Sequence, residues 1–165
     1  MTPTTLTFEQ FTSLPDEPGK QELLHGELIL LPPASERHNR IVHRIFLLIH
    51  QHVTPTVRME AGYRLDAITC VQPDVSIPHE GQPAGVYFEG GPLLAIEVIS
   101  PANTASDMQQ KVRLYLASGT REVWLVYPVT RTVEVHYAQG STTFAQAFDS
   151  AILDLTVEPA EIFGE

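Results

Sequence analysis

Lysine is almost missing from this chain. Of its ten basic residues only Lys20 and Lys111 are lysines, so any role that needs a primary amine has two candidates. Cysteine is rarer still: Cys70 stands alone, which excludes an internal disulfide and a thiolate metal cluster, and its position reads as a buried strand thiol rather than a nucleophile. No segment approaches the ~20 consecutive apolar residues of a membrane span. The opening Met1-Thr2-Pro3-Thr4-Thr5 lacks a basic region followed by an apolar stretch, so a cytoplasmic location is expected. Positive charge is also scarce. Ten basic against twenty acidic residues give a net charge of −10, which argues against a broad basic surface for nucleic acid, although divalent ions can invert the field locally. Repeats, low-complexity tracts and long linkers are absent. What remains is 165 residues, 43% apolar and 18% charged, enough for one domain over 1–165 with a sizeable core.

Within that composition Glu97 is the most informative residue. It interrupts the apolar run Leu93-Leu94-Ala95-Ile96-Glu97-Val98-Ile99, bounded by Gly90-Gly91-Pro92 and Ser100-Pro101, which reads as a strand covered on both faces. An unpaired charge there costs roughly several kcal/mol, so a cation, a proton, a metal ion or the hydrogen bonds of a neighbouring turn must compensate it.

Proline and glycine divide the rest into short elements. Thr7 can cap a short helix to Leu14, and Gln21 to Leu31 reads as a hairpin about His25-Gly26. Ser35 can cap the clearest helix, to Val53, in which Val42, Ile45, Ile49 and Val53 recur at helical spacing and His38 lies one turn before Val42 on the same side. Strands are expected over Val57 to Leu65, Val71 to Ile77 and Leu93 to Ile99. A second helix follows from Ala105 to Ser118, started by Asn103 or Thr104 and stopped by Gly119. Glu122 to Tyr127 and Thr132 to Tyr137 read as two more strands, and the tail as irregular or briefly paired. A helix between the third and fourth strands is a crossover, which implies a parallel pair in a mixed sheet and an α/β or α+β fold.

Strand alternation sets Gln72, Asp74 and Ser76 on one face and Glu60, Gly62 and Arg64 on one face of the preceding strand. If those strands pair beside the third, Glu60, Asp74 and Glu97 converge, and carboxylates so grouped favour a hard divalent cation such as Mg²⁺. On the second helix Lys111 falls at the edge of the stripe Met108, Val112, Tyr115 and Leu116 and can reach inward. Two acids and a lysine suit metal-assisted phosphodiester hydrolysis. The alternative is that Lys111 simply neutralises Glu97. His43, His50 and His52 have no spacing that suggests a metal site.

Pro73-Asp74 on the second strand and Glu97-Val98 on the third, in this order of elements, resemble the PD-(D/E)xK restriction endonuclease-like core. More narrowly, the chain resembles the bacterial family of restriction endonuclease-like proteins named after its Uma prototype. The matching segments are Glu22-Leu23-Leu24-His25-Gly26-Glu27-Leu28, Arg37-His38-Asn39-Arg40-Ile41-Val42, Glu60-Ala61-Gly62, Gln72-Pro73-Asp74-Val75, Glu97-Val98-Ile99-Ser100-Pro101, Lys111 with Tyr115, and Gly119 to Val126. Two positions depart from the pattern. Ile99 stands where the superfamily motif has lysine, which moves that role to Lys111, and Tyr127 stands where the family tends to have aspartate. The resemblance implies a core over about 35–128 in the order helix, three strands, helix, strand, with an added N-terminal hairpin. It implies a Mg²⁺-dependent endodeoxyribonuclease, with Mn²⁺ as a substitute ion. Asp74 and Glu97 would bind the metal, Lys111 would act on phosphate or nucleophile, Glu60 and His38 would assist, and DNA would be cut by a homodimer. Glu27 is a weaker candidate. The rivals are a non-catalytic, acidic, dimeric interaction module that keeps the fold, favoured by the net charge, and a metal-dependent hydrolase of a smaller phosphorylated substrate.

Overall fold

The computed structural model describes residues 5–53 and 57–164. In chain order the elements are α1 (Phe8–Phe11), β1 (Lys20–Leu24), β2 (Glu27–Leu31), α2 (Glu36–His52), β3 (Arg58–Met59), β4 (Tyr63–Asp66), β5 (Thr69–Val71), β6 (Val75–Ile77) and β7 (Phe88–Glu89). They continue with β8 (Leu94–Val98), α3 (Ala105–Ala117), β9 (Glu122–Tyr127), β10 (Thr132–Tyr137), β11 (Gly140–Phe144), β12 (Phe148–Ser150), β13 (Leu155–Val157) and α4 (Pro159–Phe163). A six-stranded sheet in the order β11-β10-β9-β8-β6-β3 lies beside a five-stranded sheet in the order β2-β1-β5-β4-β7. The crossover through α3 makes β8 and β9 parallel, as the order of elements requires, and the other pairs of the larger sheet are antiparallel.

Alternation along β8 explains both the burial of this strand and the direction of Glu97. Leu94, Ile96 and Val98 join the core cluster that contains Ile41, Val42, Ile45 and Ile49 of α2, whereas Ala95 joins the cluster of Met108, Val112 and Tyr115 of α3. Glu97 therefore faces α3. The same rule divides β9, with Trp124 and Val126 on the α2 side and Val123 and Leu125 on the α3 side. Both helices begin as their sequences indicate: the Ser35 side chain accepts from the His38 amide and the Thr104 side chain from the Asp107 amide.

Two expectations need correction. The strands expected over Val57–Leu65 and Val71–Ile77 are each broken, β3 and β6 lying in the larger sheet and β4 and β5 in the smaller. The breaks have local causes. Glu60 adopts φ +52°, the Gln72 side chain donates to the Glu60 carbonyl at 2.6 Å, and Pro73 has no amide to continue the ladder. Asp74 is thereby placed at a bend rather than within a flat strand. The tail is also more ordered than expected. β10 pairs with β11, β12 with β13, and Phe148, Val157, Ile162 and Phe163 complete the cover over the α2 face of the sheet.

Buried Glu122 ties this tail down, accepting from the Trp124 indole at 3.0 Å, the Ser150 hydroxyl at 2.9 Å and the Ile152 amide at 3.4 Å. A buried donor left without an acceptor costs about 1–3 kcal/mol. Glu122→Ala should therefore lower the urea midpoint clearly more than Ser150→Ala does, and equal midpoints would show that the indole gains nothing from this carboxyl.

Candidate active site

β1 contributes two residues to the site. Period-two alternation puts Lys20 and Glu22 on one face of the strand, and both point toward the seam between the two sheets. The bend before β6 contributes Asp74, β8 contributes Glu97, and α3 contributes Lys111 and Tyr115 one turn apart. α2 contributes His38 from its first turn. Among these, Glu22, Asp74, Glu97 and Lys111 are all no more than 4% exposed.

The charges form two linked groups. In the first, the Lys111 ammonium donates to both oxygens of Glu22, at 2.8 and 2.9 Å, and lies 2.6 Å from Glu97 Oε1. Tyr115 donates its hydroxyl to the same Glu97 oxygen at 2.7 Å, and the Gln72 amide donates to Glu22 at 2.6 Å. In the second group, Lys20 Nζ lies 2.6 Å from Asp74 Oδ1, while Asp74 Oδ2 accepts from the Val98 amide at 2.7 Å. His38 Nε2 stands 3.3 Å from Asp74 Oδ2 and 3.1 Å from the Val98 carbonyl, so a proton on that nitrogen serves both acceptors, while the buried Nδ1 has no hydrogen-bond partner among the described residues.

These contacts push the two central acids in opposite directions. Burial raises the Asp74 pKa, but Lys20 and then His38 outweigh it and hold the carboxyl well below the usual range. Burial prevails at Glu97, whose pKa is raised: Lys111 and Lys20 offset only part of it, and Asp74 and Glu22 add to the rise. Burial would lower the Lys111 pKa, but Glu22 and Glu97 outweigh it and raise it, so this lysine stays an ammonium. Burial and the facing Glu97 raise Tyr115 well above the ordinary phenol value, which keeps it a donor.

A cavity of about 520 Å³ opens onto this cluster. Lys20, His38, Asp74, Glu97 and Val98 line it, and exposed Glu60 borders it together with the exposed loops Pro32-Pro33-Ala34 and Pro101-Ala102, which lead into α2 and α3. Lys111 and Glu22 are not on its wall; they stand behind Glu97.

Of the residues expected from sequence, Asp74, Glu97, Lys111 and His38 are brought together. Glu60 lines the cavity but is exposed, its left-handed backbone turning it out of the strand alternation, and it takes part in no ion pair among the described residues. Glu27 is exposed at the start of β2 and does not reach the cavity. Sequence reasoning assigned no role to Lys20 and Glu22, although the scarcity of lysine and the acidic residue inside the opening strand were the available signals.

The chain matches the family described as "Uma2: Putative restriction endonuclease" over residues 8–160. Among solved structures it is similar to the crystal structure of "a putative nuclease belonging to DUF820" from Anabaena variabilis, with a TM-score of 0.84 and 21% identity over 96% of this chain and 97% of that one. That likeness fixes a restriction endonuclease-like fold. No curated protein matches the chain.

Two expected outcomes arise from the geometry. Glu22→Ala leaves a buried ammonium without its two-oxygen partner, so unfolding free energy should fall by about 3–5 kcal/mol in chemical denaturation. The His38–Asp74 pair should stabilise within a pH window. His38 has a raised folded pKa, owing first to its hydrogen bond with Asp74, so its contribution is full below the unfolded value of about 6.5 and is lost as pH rises through the folded value. The depressed Asp74 contributes above its unfolded value of about 3.9 and loses that contribution as pH falls through the folded value. The melting-temperature difference between wild type and His38→Gln should therefore be largest between about pH 4 and 6.5. A difference that grows above pH 7 would contradict the pairing.

Matched over nearly its whole length, and with the fold established independently, the chain belongs to the Uma2 family.

Proposed function

We propose that the chain is a Mg²⁺-dependent endodeoxyribonuclease of the restriction type. The observation that carries this reading is the placement of Asp74 and Glu97. The two acids come from the bend before β6 and from the neighbouring β8, are both buried, and both line one cavity bordered by the loops before α2 and α3.

The donor set suits the ion. Mg²⁺ is commonly held by one or two carboxylates together with waters and substrate phosphate, so Asp74, Glu97 and the adjacent Val98 carbonyl are the right kind of ligands without a third acidic side chain. No group of three or more acidic, His or Cys side chains is arranged for a metal among the described residues. When bound, Mg²⁺ supplies Lewis acidity that polarises the phosphodiester and makes attack by water feasible near neutral pH.

The protein's own groups do the positioning. The Val98 amide fixes one oxygen of Asp74, and Lys111 with Tyr115 fixes one oxygen of Glu97, which leaves each acid a single preferred orientation. Lys111 acts through Glu97, because it is held behind that residue by Glu22 and does not touch the cavity. His38 keeps a proton on Nε2 toward Asp74 and Val98. Glu60 on the rim is the cavity carboxylate without an ion pair among the described residues and can orient water at the mouth. The family's description as restriction endonuclease supports DNA as substrate, and cutting both strands would take two sites, hence a homodimer.

Purified protein incubated with supercoiled plasmid at low salt should nick it with Mg²⁺ or Mn²⁺ and not with chelator. Asp74→Asn and Glu97→Gln should each reduce nicking by at least a hundredfold. Asp74→Asn should also melt lower than wild type, since the folded protein holds this carboxyl well below its usual range. Absence of nicking with every ion would select the rival reading, an acidic interaction module on the same fold, which the net charge of −10 favours.

A further inference from the structure

Lys20 occupies the place beside Asp74 that a metal ion held by this acid would also need. Its ammonium is 2.6 Å from Asp74 Oδ1 and is drawn also by Glu97 and Glu22. The other lysine is fixed: Lys111 is held by both oxygens of Glu22 and by Glu97, its side chain is 4% exposed, and it has no face on the cavity. Lys20 is held by one residue, its side chain is 15% exposed, and it lines the cavity. The backbone before it is equally specific. Gly19 has φ +99°, and a Cβ there would lie 2.0 Å from the Leu31 carbonyl oxygen, so only glycine lets the chain enter β1 at the angle that aims Lys20 at Asp74.

Charge balance sets the response of the cluster to a divalent ion. Three buried carboxylates, Glu22, Asp74 and Glu97, share two ammoniums. A doubly charged ion added with Lys20 in place would leave the cluster with excess positive charge and two cations competing for Asp74 Oδ1. With Lys20 moved outward, ion and Lys111 balance the three acids. The cavity gives the released ammonium a path, and a phosphate entering the same cavity gives it a partner of the opposite charge.

We propose that Lys20 is a tethered counter-cation: without metal it neutralises Asp74, and when a divalent ion and a DNA phosphate enter together it leaves Asp74 for the phosphate. The proposal rests on the metal-dependent nuclease reading, and it adds that metal binds weakly alone and tightly with substrate. It also gives the protein a reason to keep one lysine on the cavity and the other behind it.

Two measurements test it. Mn²⁺ titrated calorimetrically into Lys20→Met, without DNA, should bind at least tenfold more tightly than to wild type, while Lys20→Arg, which keeps the charge, should not gain. In wild type, a non-cleavable duplex should tighten Mn²⁺ binding by a similar factor, and that gain should shrink in Lys20→Met. The second measurement needs no substitution. Lys20 and Lys111 are the whole lysine inventory, so ¹⁵N-lysine labelling yields two side-chain ammonium signals; Mg²⁺ with duplex should shift and broaden one and leave the other in place. Equal Mn²⁺ affinity in wild type and Lys20→Met, or both lysine signals unchanged by Mg²⁺ with duplex, would overturn the role of Lys20. If Asp74→Asn still abolishes Mn²⁺ binding in that case, the nuclease reading stands without it. If neither wild type nor Lys20→Met binds Mn²⁺ at Asp74, both readings fall.

Discussion

Charge neutralisation inside a buried seam governs this molecule. Three acids buried between two sheets would not be tolerated alone, and the two lysines of the chain are both spent on them. The lysines are not equivalent, because one contact is a two-oxygen clasp away from solvent and the other a single contact at a cavity wall. An enclosed ion pair and a cavity-facing one thus sit within one cluster, distinguished by exposure rather than by residue type.

Backbone breaks make that cluster possible. A straight hairpin over the regions 57–65 and 71–77 would have kept Asp74 in a flat ladder, alternating with Val75. The positive φ at Glu60 and the missing amide of Pro73 let the chain change sheets there, and the freed Asp74 carboxylate turns to the Val98 amide. A local irregularity, costly as secondary structure, puts the two acids side by side.

Much of the architecture was legible because it depends on periodicity within single elements. The α2 stripe, the caps at Ser35 and Thr104, and the strands Glu122–Tyr127 and Thr132–Tyr137 all follow from spacing and turn residues, as does the parallel pair around α3. Asp74, Glu97 and Lys111 were legible as charges needing partners, because charge in an apolar setting announces a requirement. Glu22 and Lys20 were not, since what defines them is a partner 89 and 54 positions away. The sheet change at Glu60 and Pro73 was missed for a similar reason: alternation continues through the break in sequence, and only the second sheet overrides it. The ordered tail depends on Glu122 finding Ser150 and Ile152, a contact that no local pattern signals.

The clasp between Lys111 and Glu22 spans most of the chain and has a consequence for how the protein is made. Glu22 leaves the ribosome early and Lys111 much later, so during synthesis the β1 carboxylate waits, solvated, for an ammonium that does not yet exist. The contact that closes β1 onto α3 is therefore one of long sequence separation, and it cannot form before Lys111 has been made.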